Sequence, residues 1–242
     1  MLLSGFKNRC KNFLDSCGIF LRKSRGMSYG SDLFLDLERL GFPQDGVIFD
    51  VGAHRGETAF LLKERYPSAR VFSFEPVSAN FEHLMRRVAG LEGVRCFHTA
   101  LGGSDGRALI HLGSDSQTHR IEGRPDGTGG EVGVEEIDLT TLDAVVASER
   151  IERISLLKID AEGYETRIID GARATLESRL VDWVFVEATL DPSDTIHTPL
   201  ATLQAQLGGH DLHLVAVYDQ VVWDNPLRLA YVNALFRRSA SV

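Results

Sequence analysis

Cysteine is scarce in this chain: Cys10, Cys17 and Cys96 are the three it has. An odd number without metal-type spacing argues against a disulfide framework or a thiolate zinc site and suits reduced thiols in a cytoplasmic protein. Long apolar runs are missing as well. No stretch approaches the roughly 20 residues that a bilayer-spanning helix needs. The amino end lacks an uninterrupted apolar core followed by a small-residue cleavage site, so no secretion signal is expected. Positive charge is in deficit, 26 Lys and Arg against 34 Asp and Glu, which argues against nucleic acid as the main partner. There is no internal repeat, and no composition shift divides the chain into two large domains.

What basic charge there is crowds into residues 1–26, where Lys7, Arg9, Lys11, Arg22, Lys23 and Arg25 face Asp15 alone. With Phe6, Phe13, Leu14, Phe20 and Leu21 as its apolar side, this segment predicts an amphipathic helix. Packing on the domain or capping its cleft is favoured over weak membrane-surface contact through residues 1–26. Residues 1–45 read as a helical extension, whose second helix begins at Ser31-Asp32 and stops at Gly41 and Pro43. Residues 46–242 read as one α/β domain, and a hydrophobic content of 43% is enough to fill its core.

That domain is organised around Val47 to Pro76. Val47-Ile48-Phe49-Asp50-Val51 is a strand and Gly52-Ala53-His54-Arg55-Gly56 a glycine turn. Glu57 to Tyr66 is a helix that Pro67 stops, and Arg70 to Phe74 is a second strand ending on Glu75-Pro76. This is half of a nucleotide-binding unit, with Glu75 where a ribose-binding acid sits. Gly52 turns the backbone off the strand, and Gly56 lets the helix start approach a ligand. A third glycine is lacking, and His54 and Arg55 crowd the turn where a pyrophosphate needs bare backbone. The pattern fits S-adenosylmethionine instead, which has a ribose for Glu75 and an amino-acid end for the turn.

Downstream, Pro76 opens a helix over Val77–Val88 with Phe81, Leu84, Met85 and Val88 as its core stripe. Strands are predicted at Val94–His98 and Ala108–Leu112, and an extended segment at Val134–Leu139. The glycine- and acid-rich segment Gly113–Gly133 reads as a loop, either disordered or a lid. Thr140 or Thr141 caps a helix over Leu142–Ala147. Ile154–Asp160 is a buried strand, followed by a helix through Ile168, Ile169 and Leu176. Val181–Glu187 is another buried strand, and Pro199–Leu207 a helix. A terminal pair, Leu212–Tyr218 and Leu227–Phe236, is joined by the Asp219–Pro226 turn. The sheet is therefore parallel except at one strand.

Asp50, Glu75, Asp160 and Glu187 each end a strand. In open α/β sheets ligands lie beyond the carboxyl ends of strands, where strand order reverses. Four carboxylates there make a negative rim suited to a cationic sulfonium. In Lys158-Ile159-Asp160-Ala161-Glu162-Gly163, strand alternation points Lys158, Asp160 and Glu162 the same way if the strand persists. A lysine in an apolar strand calls for an acid partner. Methyl transfer to an alcohol needs an aimed hydroxyl and a base. Asp160 is the first candidate for base or hydroxyl-orienting acid, with Lys158 tuning it. Glu162 is the second, and His54 the third, with cofactor positioning as its alternative role. Asp160, Glu162 and Glu187 could instead bind a hard divalent ion. No ligand-spacing motif and no i,i+4 histidine pair support that, and no metal is expected.

Asp50-Val51-Gly52-Ala53-His54-Arg55-Gly56-Glu57, Phe74-Glu75-Pro76, Thr141-Leu142-Asp143 and Leu157 through Glu165 together resemble the FkbM family of S-adenosylmethionine-dependent methyltransferases. Tyr231 to Phe236 is similar to the family's last strand. The resemblance covers roughly residues 45–238, and its Lys-x-Asp-x-Glu-Gly block is the most specific part. Where the family has asparagine after the turn's alanine, this chain has His54. The resemblance implies a class I methyltransferase fold, a Rossmann-like three-layer α/β sandwich on a mostly parallel seven-stranded sheet with a carboxyl-terminal antiparallel hairpin. It implies O-methylation of a hydroxyl on a sugar, glycolipid or polyketide; one branch methylates the fucose of nodulation factors. By carry-over, Gly52, Gly56 and Glu75 belong to the cofactor, and Asp160 and Glu162 lie near the transferred methyl; Asp50, Ala53, His54 and Ala100 are further candidates for cofactor contact. N-methylation fits less well, because such enzymes carry a polar-Pro-Pro-aromatic block where Ala161-Glu162-Gly163 stands. A non-catalytic domain that binds the cofactor is the remaining alternative.

Overall fold

Val47–Val51 is rich in β-branched and aromatic side chains and is buried on both faces, the condition of a central parallel strand. It is β1 of the computed structural model, which describes residues 26–113, 120–121, 131–224 and 227–239. The helix expected within residues 1–25, with Cys10 and Cys17, and residues 114–119 and 122–130 of the loop lie outside these. Beside β1 run β2 (Arg70–Phe74), β3 (Val94–Phe97), β8 (Ile154–Ile159), β9 (Val181–Thr189), β10 (Leu212–Asp224) and β11 (Leu227–Arg238). Their order is β10-β11-β9-β8-β1-β2-β3, and β11 runs antiparallel to both its neighbours. Strand order reverses at β1, between β2 and β8.

Period-two alternation assigns each strand residue to one of two cores. Phe49 and Val51 face helices α4 (Leu142–Ser148), α5 (Glu165–Asp170), α6 (Arg173–Glu177) and α7 (Leu200–Gly208) through Val145, Ile168, Leu176 and Leu203. Ile48 faces the other way, toward α1 (Leu33–Arg39), α2 (Glu57–Arg65) and α3 (Ser78–Arg87) through Leu37, Leu62 and Leu84. Helix α1 is tied to the sheet, since the Tyr218 hydroxyl donates to Asp36 at 2.9 Å. Among the described residues no helix is long and apolar enough to cross a membrane.

Several boundaries differ from the sequence expectation. The helix expected through Ile168, Ile169 and Leu176 is two, α5 and α6, broken at Gly171. A Cβ on Gly171 would lie 2.0 Å from the carbonyl oxygen of Gly102, so the chain bends to let these backbones touch. Residues 219–224 are strand rather than turn, with register shifts that let β10 follow β11 further. Met85 is exposed, leaving Phe81, Leu84 and Val88 to carry the α3 stripe. A second sheet, β4 (Ala100–Leu101), β7 (Glu131–Thr140), β5 (Gly106–Gly113) and β6 (Arg120–Ile121), was not foreseen. It buries Ile110 and Ile137 against Val77 and Ala100.

The Thr141-Leu142-Asp143 block has a structural reading. Thr141 accepts a bond from the Ala144 N–H at 3.1 Å and caps α4, while Leu142 is fully buried. Asp143 reaches across to the start of α6, accepting from the N–H groups of Ala174 and Thr175 and from the Thr175 hydroxyl. It caps a neighbouring helix. Asp143→Ala should lower unfolding free energy by about 1–2 kcal/mol, read from the urea midpoint at unchanged slope.

Candidate active site

The glycine turn is shaped by contact with β8 as well as by its own geometry. Gly52 has φ +72°, and a Cβ there would lie 1.8 Å from the Asp160 carbonyl oxygen. Only a residue without a side chain lets the ends of β1 and β8 meet. His54 has φ +49°, a left-handed conformation that asparagine adopts readily and histidine less so. Its backbone N–H donates to Glu75 at 2.8 Å, and the Val77 N–H donates to the other Glu75 oxygen at 2.9 Å. The carboxyl of Glu75 is thus fixed in place. Burial, against these hydrogen bonds, pushes its pKa up to about 7.

A cavity of about 480 Å³ opens beyond the strand ends at the reversal of strand order. Gly52, His54, Phe74, Glu75, Val77 and Asn80 line one side. Ala100, Leu101, Ile110 and Ile121 of the second sheet cover it, and Asp160, Glu162, Tyr164, Glu187, His197 and Tyr231 form the far side. Glu75, Asp160 and Glu187 therefore share one cavity. Glu187 lies within β9, which continues to Thr189, rather than at its end.

Asp50 does not join them. Alternation puts it on the face of Ile48, opposite Val51, and it is fully buried beneath the cavity floor. Register pairs it with Lys158, whose Nζ lies 3.1 Å from its Oδ1. The same ammonium reaches the carbonyl oxygens of Val51 (3.3 Å) and Gly52 (3.0 Å) and the Asp160 carboxylate (3.4 Å). Burial opposes the charge on Lys158, but Asp50 and Asp160 outweigh it and hold the pKa above its usual value. Burial raises Asp50, with Lys158 opposing. The two shifts pull in opposite senses for a charged pair; with four oxygens around Nζ, the ammonium form is the one the geometry favours.

Two other residues assigned to the cofactor lie outside the cavity lining. Ala53 is buried in the core beneath α2. Gly56 has its close approach to a helix rather than a ligand, since a Cβ there would meet Leu84 of α3 at 2.9 Å. Strand β8 stops at Ile159, so alternation does not carry Glu162 to the site; a turn does, with Glu162 at φ +48° and Gly163 at φ +92°. Lys158 sits under the floor, and His54 and Ala100 line the cavity.

Sequence reasoning missed Asp194, His197, Thr198 and the role of Glu165. Glu165, buried at the start of α5, accepts from the Gly163 N–H at 2.9 Å and from the Thr198 hydroxyl at 2.5 Å. It joins the turn carrying Glu162 to the loop carrying His197. His197 Nδ1 lies 2.7 Å from Asp194 Oδ2, and Nε2 lies 3.3 Å from Glu187 Oε2. Burial would raise Asp194, but hydrogen bonds from His197 and Ile196 hold its pKa below the usual carboxylate value. Burial and the nearby Asp160 push Glu187 up to about 7. The acid spacing Asp194-x-x-His197 just after a strand was the signal available in the sequence. Donor atoms of Glu162, Glu187 and His197 lie within 4.8 Å of one another, so His197 stands where the hard-ion alternative had put Asp160.

A seven-stranded sheet of this order, with an acid after β2 facing the reversal of strand order, is the architecture of class I methyltransferases. The methyltransferase FkbM domain model matches residues 50–208, and the chain belongs to the FkbM methyltransferase family. Among curated relatives, methyltransferase sdnD of Sordaria araneosa is 28% identical over 53% of this chain and 61% of its own length. Hexuronic acid methyltransferase AglP of Haloferax volcanii is 28% identical, covering 62% of this chain and 60% of its own. The 2-O-methyltransferase NoeI of Sinorhizobium fredii is 26% identical, covering 54% and 59%. The match thus takes in about 60% of the length of these relatives.

The residues present fit S-adenosylmethionine, the methyl donor of this class. Glu75, held by two backbone N–H groups, would offer a fixed acceptor to ribose hydroxyls, and Val77, Ala100 and Ile110 would offer apolar walls to a base. Asn80 is a polar group beside them. No lysine or arginine among the described residues lines the cavity, as a phosphate-bearing cofactor would ask.

Lys158→Met leaves Asp50 buried without its counter-charge. It should cost about 3–5 kcal/mol of unfolding free energy at neutral pH, by urea titration. The loss should shrink as pH falls, because a folded carboxyl with a raised pKa gains stability where it is protonated. Asp50→Asn in the same chain should restore most of it.

Proposed function

We propose that this protein methylates a hydroxyl of a neutral sugar, free or carried on a lipid, using S-adenosylmethionine. The observation that carries this reading is the lining of the cavity. Glu75, Asp160, Glu162 and Glu187 face it with His54 and His197, and no lysine or arginine among the described residues does. Bound there, S-adenosylmethionine supplies an electrophilic methyl group on a positively charged sulfur. Glu75 would hold the ribose, with Gly52 and His54 beside it. Asp160, Glu162 and Glu187 are hydrogen-bond acceptors at the other side, suited to orienting a molecule rich in hydroxyl donors.

A carboxylate or phosphate on the acceptor would meet these acids with no compensating lysine or arginine among the described residues of the lining, at a cost in desolvation and repulsion. That favours a neutral sugar over a hexuronate, although a relative carries hexuronic acid in its name. Similarity to a 2-O-methyltransferase and a hexuronic acid methyltransferase supports sugar hydroxyls as the general class. A polyketide hydroxyl is the second reading. The apolar cover from Leu101, Ile110 and Ile121 favours it to the extent that the acceptor carries an apolar body.

Calorimetry at a pH above the raised Glu75 pKa of about 7 should detect S-adenosylmethionine binding to the full chain, and Glu75→Gln should weaken it roughly ten- to hundredfold, as loss of a charged hydrogen-bond acceptor does. With tritium-labelled donor, label should pass to neutral methyl hexosides and not to the matching hexuronates. Binding without any label on the neutral glycosides would reject the proposed acceptor class. Absence of binding would reject the cofactor as well.

A further inference from the structure

Strand β9 leads into a loop, residues 190–199, that folds back over the cavity. It is pinned at both ends. The Thr189 N–H donates to the Thr198 carbonyl oxygen at 2.9 Å, and the Thr189 hydroxyl donates to the Ala230 carbonyl oxygen at 2.8 Å. Asp191 accepts from the Ser193 N–H and hydroxyl and pairs with Arg228 at 2.8 Å. Glu165 holds the far end through Thr198. A loop braced this way is a rigid mount.

His197 is what it presents. One face of the imidazole stacks on Tyr231, with centroids 4.7 Å apart and planes 24° from parallel. The side chain is 13% exposed, at the cavity wall. Asp194 Oδ1 accepts from the N–H groups of Ile196 (2.7 Å) and His197 (3.0 Å), so its carboxylate cannot turn away. Its Oδ2 then faces Nδ1 of the ring at 2.7 Å. An ionised carboxylate only accepts, so the ring proton belongs on Nδ1 and the lone pair on Nε2. Nε2 lies 3.3 Å from Glu187 Oε2, with Glu162 close by. Burial and Asp160 push the Glu187 carboxyl up to about 7, and its protonated form faces a bare Nε2 without opposing charge.

We infer that His197 is the general base of the site, with Asp194 as its positioning residue, in place of Asp160. The inference rests on the hydroxyl-methylation reading above. Asp160 has an oxygen 3.4 Å from the Lys158 ammonium and a side chain 46% exposed, so it is neither free nor shielded. The reaction balances at His197. The acceptor O–H bond breaks and its proton passes to Nε2. The oxygen electron pair forms the new C–O bond, and the pair of the broken C–S bond remains on sulfur. The donor loses one positive charge as the imidazole gains one. Asp194 and Glu187 flank the imidazolium, which stabilises it where it forms.

The test uses the full chain and a neutral glycoside that the wild type methylates. His197→Gln should lower kcat by about 100-fold or more while leaving S-adenosylmethionine affinity unchanged and the protein folded by circular dichroism. Should that variant not fold, His197→Ala with added imidazole replaces it, and imidazole should restore turnover. Asp194→Asn should lower kcat and displace the acidic limb of the pH–rate profile, which a purely structural role would leave in place. Undiminished kcat in His197→Gln overturns the inference. So does wild-type activity lost to EDTA and restored by Mn²⁺, which would make the same nitrogen a metal ligand. Nitrogen NMR of imidazole-labelled protein needs no acceptor. Protonated Nδ1 with bare Nε2 at His197, altered in Asp194→Asn, is the expected result, and a neutral ring protonated on Nε2 overturns the inference. Absence of label on every glycoside would sink the proposed function separately, leaving the tautomer to decide this one.

Discussion

The ammonium of Lys158 is the point on which the site is built. It is enclosed by the Asp50 carboxylate, the carbonyl oxygens of Val51 and Gly52, and the Asp160 carboxylate. Those groups come from the end of β1, from the glycine turn and from the end of β8, so one cation fixes three backbone segments at the reversal of strand order. A buried charge tolerates such a place only when its partners are complete. Gly52 makes the arrangement possible, since any side chain there would strike the Asp160 carbonyl oxygen. The lysine and the glycine of the family motifs thus serve one contact.

From that joint the two sides of the cavity divide their work. The β1–β2 side sets Glu75 with two backbone N–H groups, a rigid acceptor with apolar surface beside it. The β8–β9 side sets Asp160, Glu162, Glu187 and His197 through a left-handed turn and a braced loop. Glu165 bridges that turn to that loop, which accounts for an acid in the motif that never reaches the cavity lining.

Much of the frame was legible because it is written in local pattern. β1, β8 and β9 are nearly unbroken apolar runs, Gly52 and Gly56 flank a helix start, and Pro67 follows a helix end. Asp50 was misjudged for a reason the sequence itself contains. Within a strand its side chain must oppose that of Val51, and Val51 and Phe74 are the residues that face the cavity. Gly56 was read as a ligand contact because a sequence does not reveal that α3 crosses there. The second sheet and His197 were less accessible. Pairing of β5 with β7 depends on register across a long loop, and His197 reaches the site through a bond from Thr198 to Glu165, 33 residues away in the chain.

The charge of the cavity also bears on turnover. An acidic lining with no lysine or arginine among the described residues attracts a cation more than the neutral molecule left after its methyl group departs, the more so as pH rises past 7 and Glu75 and Glu187 ionise. Binding would therefore favour the donor over its spent form, so that release is helped by the same field that assists capture. The field also disfavours a second anion beside it, and the described polar residues of the acceptor side are hydrogen-bond acceptors rather than lysines or arginines. A neutral polyol satisfies these acceptors without opposing the field. With Lys158 buried against Asp50 and the strand-end carbonyl oxygens, that cation serves architecture, and of the acids lining the cavity it pairs with Asp160.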